Sequence, residues 1–336
     1  MKHAKAIFSA LLLVAAFTAA AYFATRRPGP PAVYDETRWL MGTEVKIRFP
    51  CEGPECRKIA ATAFAEAEEV DAKMARRRGS ELFAIDERGE GKAGPGLVKV
   101  LASARKWAEA SDGAFDPTLG ALIDLWAVEK GPHPPPGRAE IDAALAGTGW
   151  KKFSVDNSSG AVLTGGTQID LGAIAKGYAA DRCAEKLKYQ GYSDYIVDAG
   201  GDLAVGGTKM GAPWRIGLLD PETPGKMLAI YTAAPGAVVT SGDYERYFEW
   251  EGVRYGHIFD PATGLPAKSL ASVTVWSGNA MDADALATAV FVLGPEKGLK
   301  LIAESPPAEV MLIDHEGRTR QSPGFDRVMR RVEEKP

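Results

Sequence analysis

From about residue 150 onward the apolar residues come in short runs that read as strands, and only two helical stretches interrupt them. The runs span 153–156, 161–164, 195–198, 214–219, 227–232, 253–259 and 271–277. One helix is expected over about 173–189, with Ala173, Gly177, Ala180, Ala184 and Leu187 on one side, and the other over about 280–293. Strands that do not alternate regularly with helices exclude a doubly wound parallel sheet and point to an α+β architecture. Upstream, residues 38–49 alternate as a strand does. Ile59, Ala63, Ala67, Val70 and Met74 recur at steps of three and four, which places them on one face of a helix. Leu97, Leu101, Ala104 and Ala108 mark a second helix, and the GPHPPPGR stretch at 131–138 is expected as an exposed connection without regular structure.

The chain starts with Lys2, Lys5, an uncharged and mostly apolar run from Ala6 to Ala24, and Arg26-Arg27. Residues 1–27 therefore read as a secretory signal or a membrane anchor: Ala19, Ala20 and Ala21 suit a peptidase, and the length of the run suits a span. Both readings predict an exported body, periplasmic or held at the periplasmic side of an inner membrane. With 46% apolar and 25% charged residues the composition is that of a globular protein. Forty basic residues stand against 44 acidic ones, and an acidic body without a basic stripe argues against nucleic acid as a partner. Cys51 and Cys56 bracket a short loop that can close as a disulfide in an oxidising compartment. Cys183 then remains on the apolar side of a helix, and His3, His133, His257 and His315 are too scattered for zinc-type ligand spacing.

Neither G-x-G-x-x-G nor G-x-x-x-x-G-K-[ST] occurs, and H-E-x-x-H and G-x-S-x-G are missing too. Four local clusters carry what chemistry the sequence offers. Asp284 and Thr288 are four residues apart, so a carboxylate and a hydroxyl share one helix face, an oxygen pair suited to Mg²⁺, with Asp282 as a helper at the helix start. In IDLGAIAKGYAADR, Asp170 ends an apolar strand and Lys176 falls in the first turn of the next helix, where backbone N–H groups and an ammonium can face a phosphate. His257 and Asp260 lie in YGHIFDPATGLPA, at a strand end beside a polar turn, where an imidazole can move protons. Phe115 and Asp116 precede Pro117, with Asp116 in the N-cap position of a helix. Each cluster also has a plain structural reading, as a cap, a surface lysine or a structural histidine, and DAGGDLAVGG at 198–207 reads equally as a hairpin.

Taken in order, Met41-Gly42-Thr43, the Asp170–Tyr178 run, Asp198-Ala199-Gly200-Gly201-Asp202, Thr240-Ser241-Gly242-Asp243-Tyr244, His257-Ile258-Phe259-Asp260-Pro261 with Thr263-Gly264, and Asp284 with Ala287-Thr288 closely resemble the ApbE-type FAD:protein FMN transferases over about residues 34–320. The resemblance implies a T-fold-like, internally duplicated α+β domain, with residues 321–336 left as a solvated tail. It implies a Mg²⁺-dependent enzyme that splits FAD, releases AMP and links FMN to a Thr or Ser of an exported flavoprotein, possible acceptors being membrane redox subunits of the Rnf or Nqr kind. By position, Asp284, Thr288 and the Ala173 carbonyl match the metal ligands, and Met41, Ala114, Phe115, Asp116, Asp170, Lys176 and Ile258 match FAD contacts. His257 matches the residue that assists phosphoryl chemistry, and either His257 or Asp260 would take the acceptor's proton. Where many members carry an aromatic residue for the flavin, this chain reads Met74-Ala75-Arg76-Arg77-Arg78-Gly79-Ser80-Glu81-Leu82, so that an arginine plane would have to serve. Family acceptors carry Asp, two residues, Ser or Thr, Gly, Ala and the modified Thr or Ser. Asp156–Val162 matches that order but ends in Val162, which has no hydroxyl, so self-modification is not expected. Two rivals use the same residues: a metal-dependent FAD pyrophosphatase, with water as nucleophile, and a periplasmic FAD-binding protein without turnover.

Overall fold

The computed structural model describes residues 32–223 and 225–333. The 1–27 leader lies outside them, and no helix among the described residues is long and apolar enough to cross a membrane. In chain order the strands are β1 (Val33–Leu40), β2 (Thr43–Pro50), β3 (Glu90–Lys92), β4 (Ser154–Val155), β5 (Ala161–Leu163), β6 (Tyr195–Ala199), β7 (Asp202–Gly206), β8 (Arg215–Leu219), β9 (Met227–Ala233), β10 (Gly236–Gly242), β11 (Tyr247–Trp250), β12 (Val253–Gly256), β13 (Ser272–Ser277), β14 (Glu309–Ile313), β15 (Thr319–Gln321) and β16 (Met329–Arg331). The helices are α1 (Glu55–Met74), α2 (Glu81–Arg88), α3 (Pro95–Ala110), α4 (Gly120–Trp126), α5 (Arg138–Ala146), α6 (Ala175–Tyr189), α7 (Ala280–Ala303) and α8 (Phe325–Val328).

Eight strands form one antiparallel sheet in the order β1-β2-β6-β7-β10-β13-β14-β15. Successive side chains of a strand point to opposite faces, and both faces of this sheet are covered. Val197, Ala237, Val239, Val310 and Leu312 join the core formed with α1, α6 and α7. Their neighbours Ile196, Val238, Met311 and Ile313 join a second core, under the three-stranded sheet β16-β9-β8. Helices gathered against an antiparallel sheet are the α+β arrangement expected from the sequence. A third cluster, with Leu119, Leu122, Trp126, Ile141, Phe248 and Phe259, builds one side of the functional cavity.

Several local expectations change. The 38–49 strand is a hairpin: Met41 and Gly42 turn the chain with φ of 55° and 71°, so the alternation runs on through β1 and β2 either side of a two-residue turn. The 253–259 run stops at Gly256, and α5 follows directly on the Pro-rich connection, whose His133 ring packs 4.6 Å from Phe248. The helix after Asp116 begins only at Gly120, so Asp116 closes a turn rather than capping a helix. The 321–336 tail is solvated only in part: Ser322, Phe325 and Met329 are buried, and β16 pairs with β9 because two apolar side chains four residues apart reach the second core. Cys51 and Cys56 form a disulfide, Cys183 is buried with its thiol directed at the Ala63 carbonyl, and Asp156–Val162 forms the β4–β5 turn.

The approach of α6 to α7 positions the site. Asp181 of α6 accepts hydrogen bonds from Ala280 N and Met281 N at 2.8 and 2.9 Å, capping the start of α7. Gly177 makes the close approach possible, since a Cβ there would lie 2.2 Å from the Ala280 carbonyl oxygen. Gly177→Ala must part the two helices. Overpacking of this kind costs about 1–3 kcal/mol, which should appear as a lower urea midpoint at unchanged slope; an unchanged midpoint would mean the helices separate freely.

Candidate active site

A cavity of about 1520 Å³ opens where the β2–β6–β7–β10 end of the large sheet meets β8, α6, α7 and the aromatic cluster. Met41, Ala114, Phe115, Asp116, Asp170, Ala173, Lys176, His257, Ile258, Asp284 and Thr288 all line it, so residues spread over nearly 250 positions converge on one space. Asp260 does not line it. Its carboxylate accepts from Ala262 N and Thr263 Oγ1 at 2.9 and 3.0 Å and holds the 260–264 turn. Asp282 also lies outside, bonded to Trp107 Nε1 at 2.7 Å and to the Asn279 side chain at 2.9 Å.

Asp284 is 2% exposed. One of its oxygens accepts from Gly177 N at 3.2 Å and lies 3.8 Å from Lys176 Nζ. In an uninterrupted helix the Gly177 N–H would bond the Ala173 carbonyl four residues back. It is given to Asp284 instead, and no hydrogen bond to the Ala173 carbonyl is formed among the described residues. Asp284, Thr288 and Ala173 all line the cavity, and a carboxylate, a hydroxyl and an unused carbonyl are oxygen donors of the kind hard divalent cations take.

Sequence reasoning missed Asp202 as a site residue. It is buried in β7 and accepts from Lys176 Nζ at 2.7 Å. Burial, then the Asp284 charge, push its carboxyl well above the usual range, and Lys176 opposes them. Burial works against the Lys176 charge, but Asp202 and Asp284 outweigh it and keep the ammonium protonated. The lysine thus lines the cavity with Asp202 and Asp284 beside its ammonium. The signal available was an acidic residue opening a strand of apolar neighbours, Leu203, Ala204 and Val205.

His257 follows β12, with its backbone N–H bonded to the Arg246 carbonyl at 3.2 Å and its Nδ1 3.1 Å from the same oxygen. A carbonyl only accepts, so Nδ1 carries the proton and Nε2 keeps its lone pair. Burial, then the Arg246 and Lys176 charges, lower its pKa to about 4, so the ring is neutral at physiological pH. Glu245 also lines the cavity, where burial and Asp202 raise its pKa to about 7 against the pull of Lys176 and Arg246. Trp126 Nε1 donates to the Gly264 carbonyl at 2.8 Å and stacks on Phe259, tying the loop after His257 to the aromatic wall.

Of the three consecutive arginines, only Arg76 reaches the cavity. Asp124 holds its guanidinium at 3.1 and 2.7 Å, Gln168 adds a bond at 3.1 Å, and Asp170 lies 3.7 Å away. Arg77 turns outward to Asp71. Asp116 is fixed by Thr118 N, Thr118 Oγ1 and Trp150 N, and burial raises its pKa against those bonds.

Residues 41–312 match the ApbE family. The chain is 34% identical over 320 residues to the FAD:protein FMN transferase of Treponema pallidum, covering 88% of each. It is 32% identical over 312 residues to that of Haemophilus influenzae, covering 86% of this chain and 89% of that one. Among solved structures, the ApbE protein of Thermotoga maritima matches with a TM-score of 0.81 at 34% identity, over 88% of this chain and 99% of that one. The flavin transferase ApbE of Vibrio cholerae matches with a TM-score of 0.79 at 28% identity, over 89% and 100%. The fold thus shares the architecture of these solved structures. The chain belongs to the ApbE family.

Proposed function

We propose that the chain is an FAD:protein FMN transferase, which cleaves the FAD pyrophosphate, releases AMP and leaves FMN esterified to a Thr or Ser hydroxyl of an acceptor protein. The observation that carries this is the convergence of Asp284, Thr288, the unused Ala173 carbonyl and a neutral His257 on one cavity. Mg²⁺ held by Asp284, Thr288 and the Ala173 carbonyl would neutralise charge on the pyrophosphate oxygens, which is most of what phosphoryl transfer asks of a site. The acceptor oxygen forms the new bond to the FMN phosphorus as the bond to the bridging oxygen breaks. The acceptor's proton goes to His257 Nε2, whose lone pair the Arg246 carbonyl preserves. AMP departs with the bridging oxygen. AMP release should require both Mg²⁺ and an acceptor domain with the Asp-x-x-[Ser/Thr]-Gly-Ala-Thr pattern; release of AMP and free FMN at the same rate without an acceptor would favour the pyrophosphatase.

Arg76 is the group best placed to replace the missing aromatic, since Asp124 and Gln168 fix the plane of its guanidinium at the cavity wall. A desolvated cation–π contact contributes about 1–2 kcal/mol, so Arg76→Ala should weaken FAD binding by about five- to thirtyfold by flavin fluorescence. An unchanged affinity would place the isoalloxazine elsewhere. Export of the body is part of the same proposal, supported by the basic-apolar-basic leader and by a disulfide suited to an oxidising compartment. An exported membrane redox subunit of the Rnf or Nqr kind fits as acceptor, and fractionation of cells carrying the tagged chain tests the compartment.

A further inference from the structure

The transferase reading requires a second polypeptide to bring a hydroxyl to the cavity, and one wall has an unused pairing edge. The strand β8 borders the three-stranded sheet β16-β9-β8, and no strand among the described residues pairs with its other side. Ile216, Gly217, Leu218 and Leu219 all line the cavity. Alternate residues of a strand point to opposite faces, so four consecutive lining residues, one of them a glycine, mean that the strand's edge itself borders the space.

This edge also lacks the protection that edges normally carry. Exposed edges are usually blunted by charge, proline or extreme shortness. β1, at the border of the large sheet, carries Asp35, Glu36 and Arg38, whereas β15 and β16 are three residues long and hold Arg320 and the Arg330-Arg331 pair. Within β8 only the outer Arg215 is charged, with Asp220 and Pro221 just beyond its end; Ile216 and Leu218 are buried in the second core and alternate with Gly217 and Leu219. A bulge at Leu218/Leu219 leaves Leu219 48% exposed beside Met227, which is 52% exposed. The cavity, at about 1520 Å³, exceeds the roughly 300–1,000 Å³ usual for small-molecule sites.

We propose that the acceptor protein's modified segment docks in extended form as an added strand on the open edge of β8, presenting its hydroxyl to the FAD phosphates. Main-chain hydrogen bonds to β8 supply the grip, and the small residues before the acceptor position let the two backbones approach. Five residues at about 3.3 Å each give an edge roughly 17 Å long, enough for one such segment. The inference rests on the transferase reading and adds to it the surface that selects the acceptor.

The test uses the full chain and a synthetic peptide carrying Asp-x-x-Ser-Gly-Ala-Thr. Hydrogen exchange should slow tenfold or more at alternate amides of residues 215–219 on adding the peptide. N-methylation of alternate peptide amides should raise the peptide's KM at least tenfold, with under twofold change at the intervening positions. Leu219→Lys should raise KM for the peptide about tenfold. The exchange readout is independent of turnover, so protection of β8 without FMN transfer would uphold the docking surface and overturn the transferase reading. Transfer at the wild-type rate to every N-methylated peptide, with β8 unprotected, would overturn the docking surface alone.

Discussion

Asp284→Asn should reduce FMN transfer by at least about 10²–10³-fold, the loss typical of removing one electrostatic group from a transition-state site, while the protein stays folded. Asparagine keeps the size of the side chain and an oxygen for the Gly177 N–H that now donates at 3.2 Å. It removes the negative charge that makes the residue a cation ligand, and it relieves Asp202, whose carboxyl is held high partly by Asp284. Thermal unfolding of the variant should therefore match or exceed that of the parent, and calorimetric titration with Mg²⁺ should lose its signal. Asp284→Ala is the less informative change, because it also strands the buried Gly177 N–H at a cost of about 1–3 kcal/mol. Retained transfer in a folded Asn variant would remove Asp284 from the metal site.

His257→Gln should cost about 10²–10⁴-fold, the usual contribution of a positioned general base, and the pH profile of the parent should identify the group. Because burial and the Arg246 and Lys176 charges lower its pKa to about 4, the ring is unprotonated throughout the neutral range. Protonation takes away the Nε2 lone pair, so kcat/KM should be level down to about pH 5 and fall on the acid side as pH drops through about 4. Glu245 titrates at about 7 in the same cavity, so an acid limb near the ordinary histidine value of about 6.5 that persists in Glu245→Gln would mean that His257 is more open to water than it is here. Asp260→Asn tests the alternative base. Both of its oxygens are occupied in the 260–264 turn, so that variant should lose stability before it loses the pH limb.

The site was legible in the sequence wherever chemistry follows local spacing. Asp284 and Thr288 share a helix face whatever packs around them, and Asp170 and Lys176 flank a strand-to-helix turn in any fold that keeps it. What could not be read depends on contacts between distant segments. Asp202 meets Lys176 only because α6 packs over the β6–β7 hairpin, and Asp260 carries the same one-letter code whether it faces a substrate or closes a turn. Of the three arginines, only the fold decides that Arg76 points inward. The Met41-Gly42 turn was hidden because methionine is an uncommon residue at φ of 55°. The docked tail was readable in principle: Phe325 and Met329 are large apolar residues among charged ones, which a fully solvated tail would not need.

One event is central to this activity, passage of the FMN phosphate from FAD to a protein hydroxyl in this cavity. The direct measurement is the intact mass of an acceptor domain, carrying the Asp-x-x-[Ser/Thr]-Gly-Ala-Thr pattern, after incubation with the chain, FAD and Mg²⁺. The account predicts a gain of one FMN at the final Thr, lost with EDTA and with Asp284→Asn. An unmodified acceptor alongside AMP and free FMN, or alongside intact FAD, would contradict it.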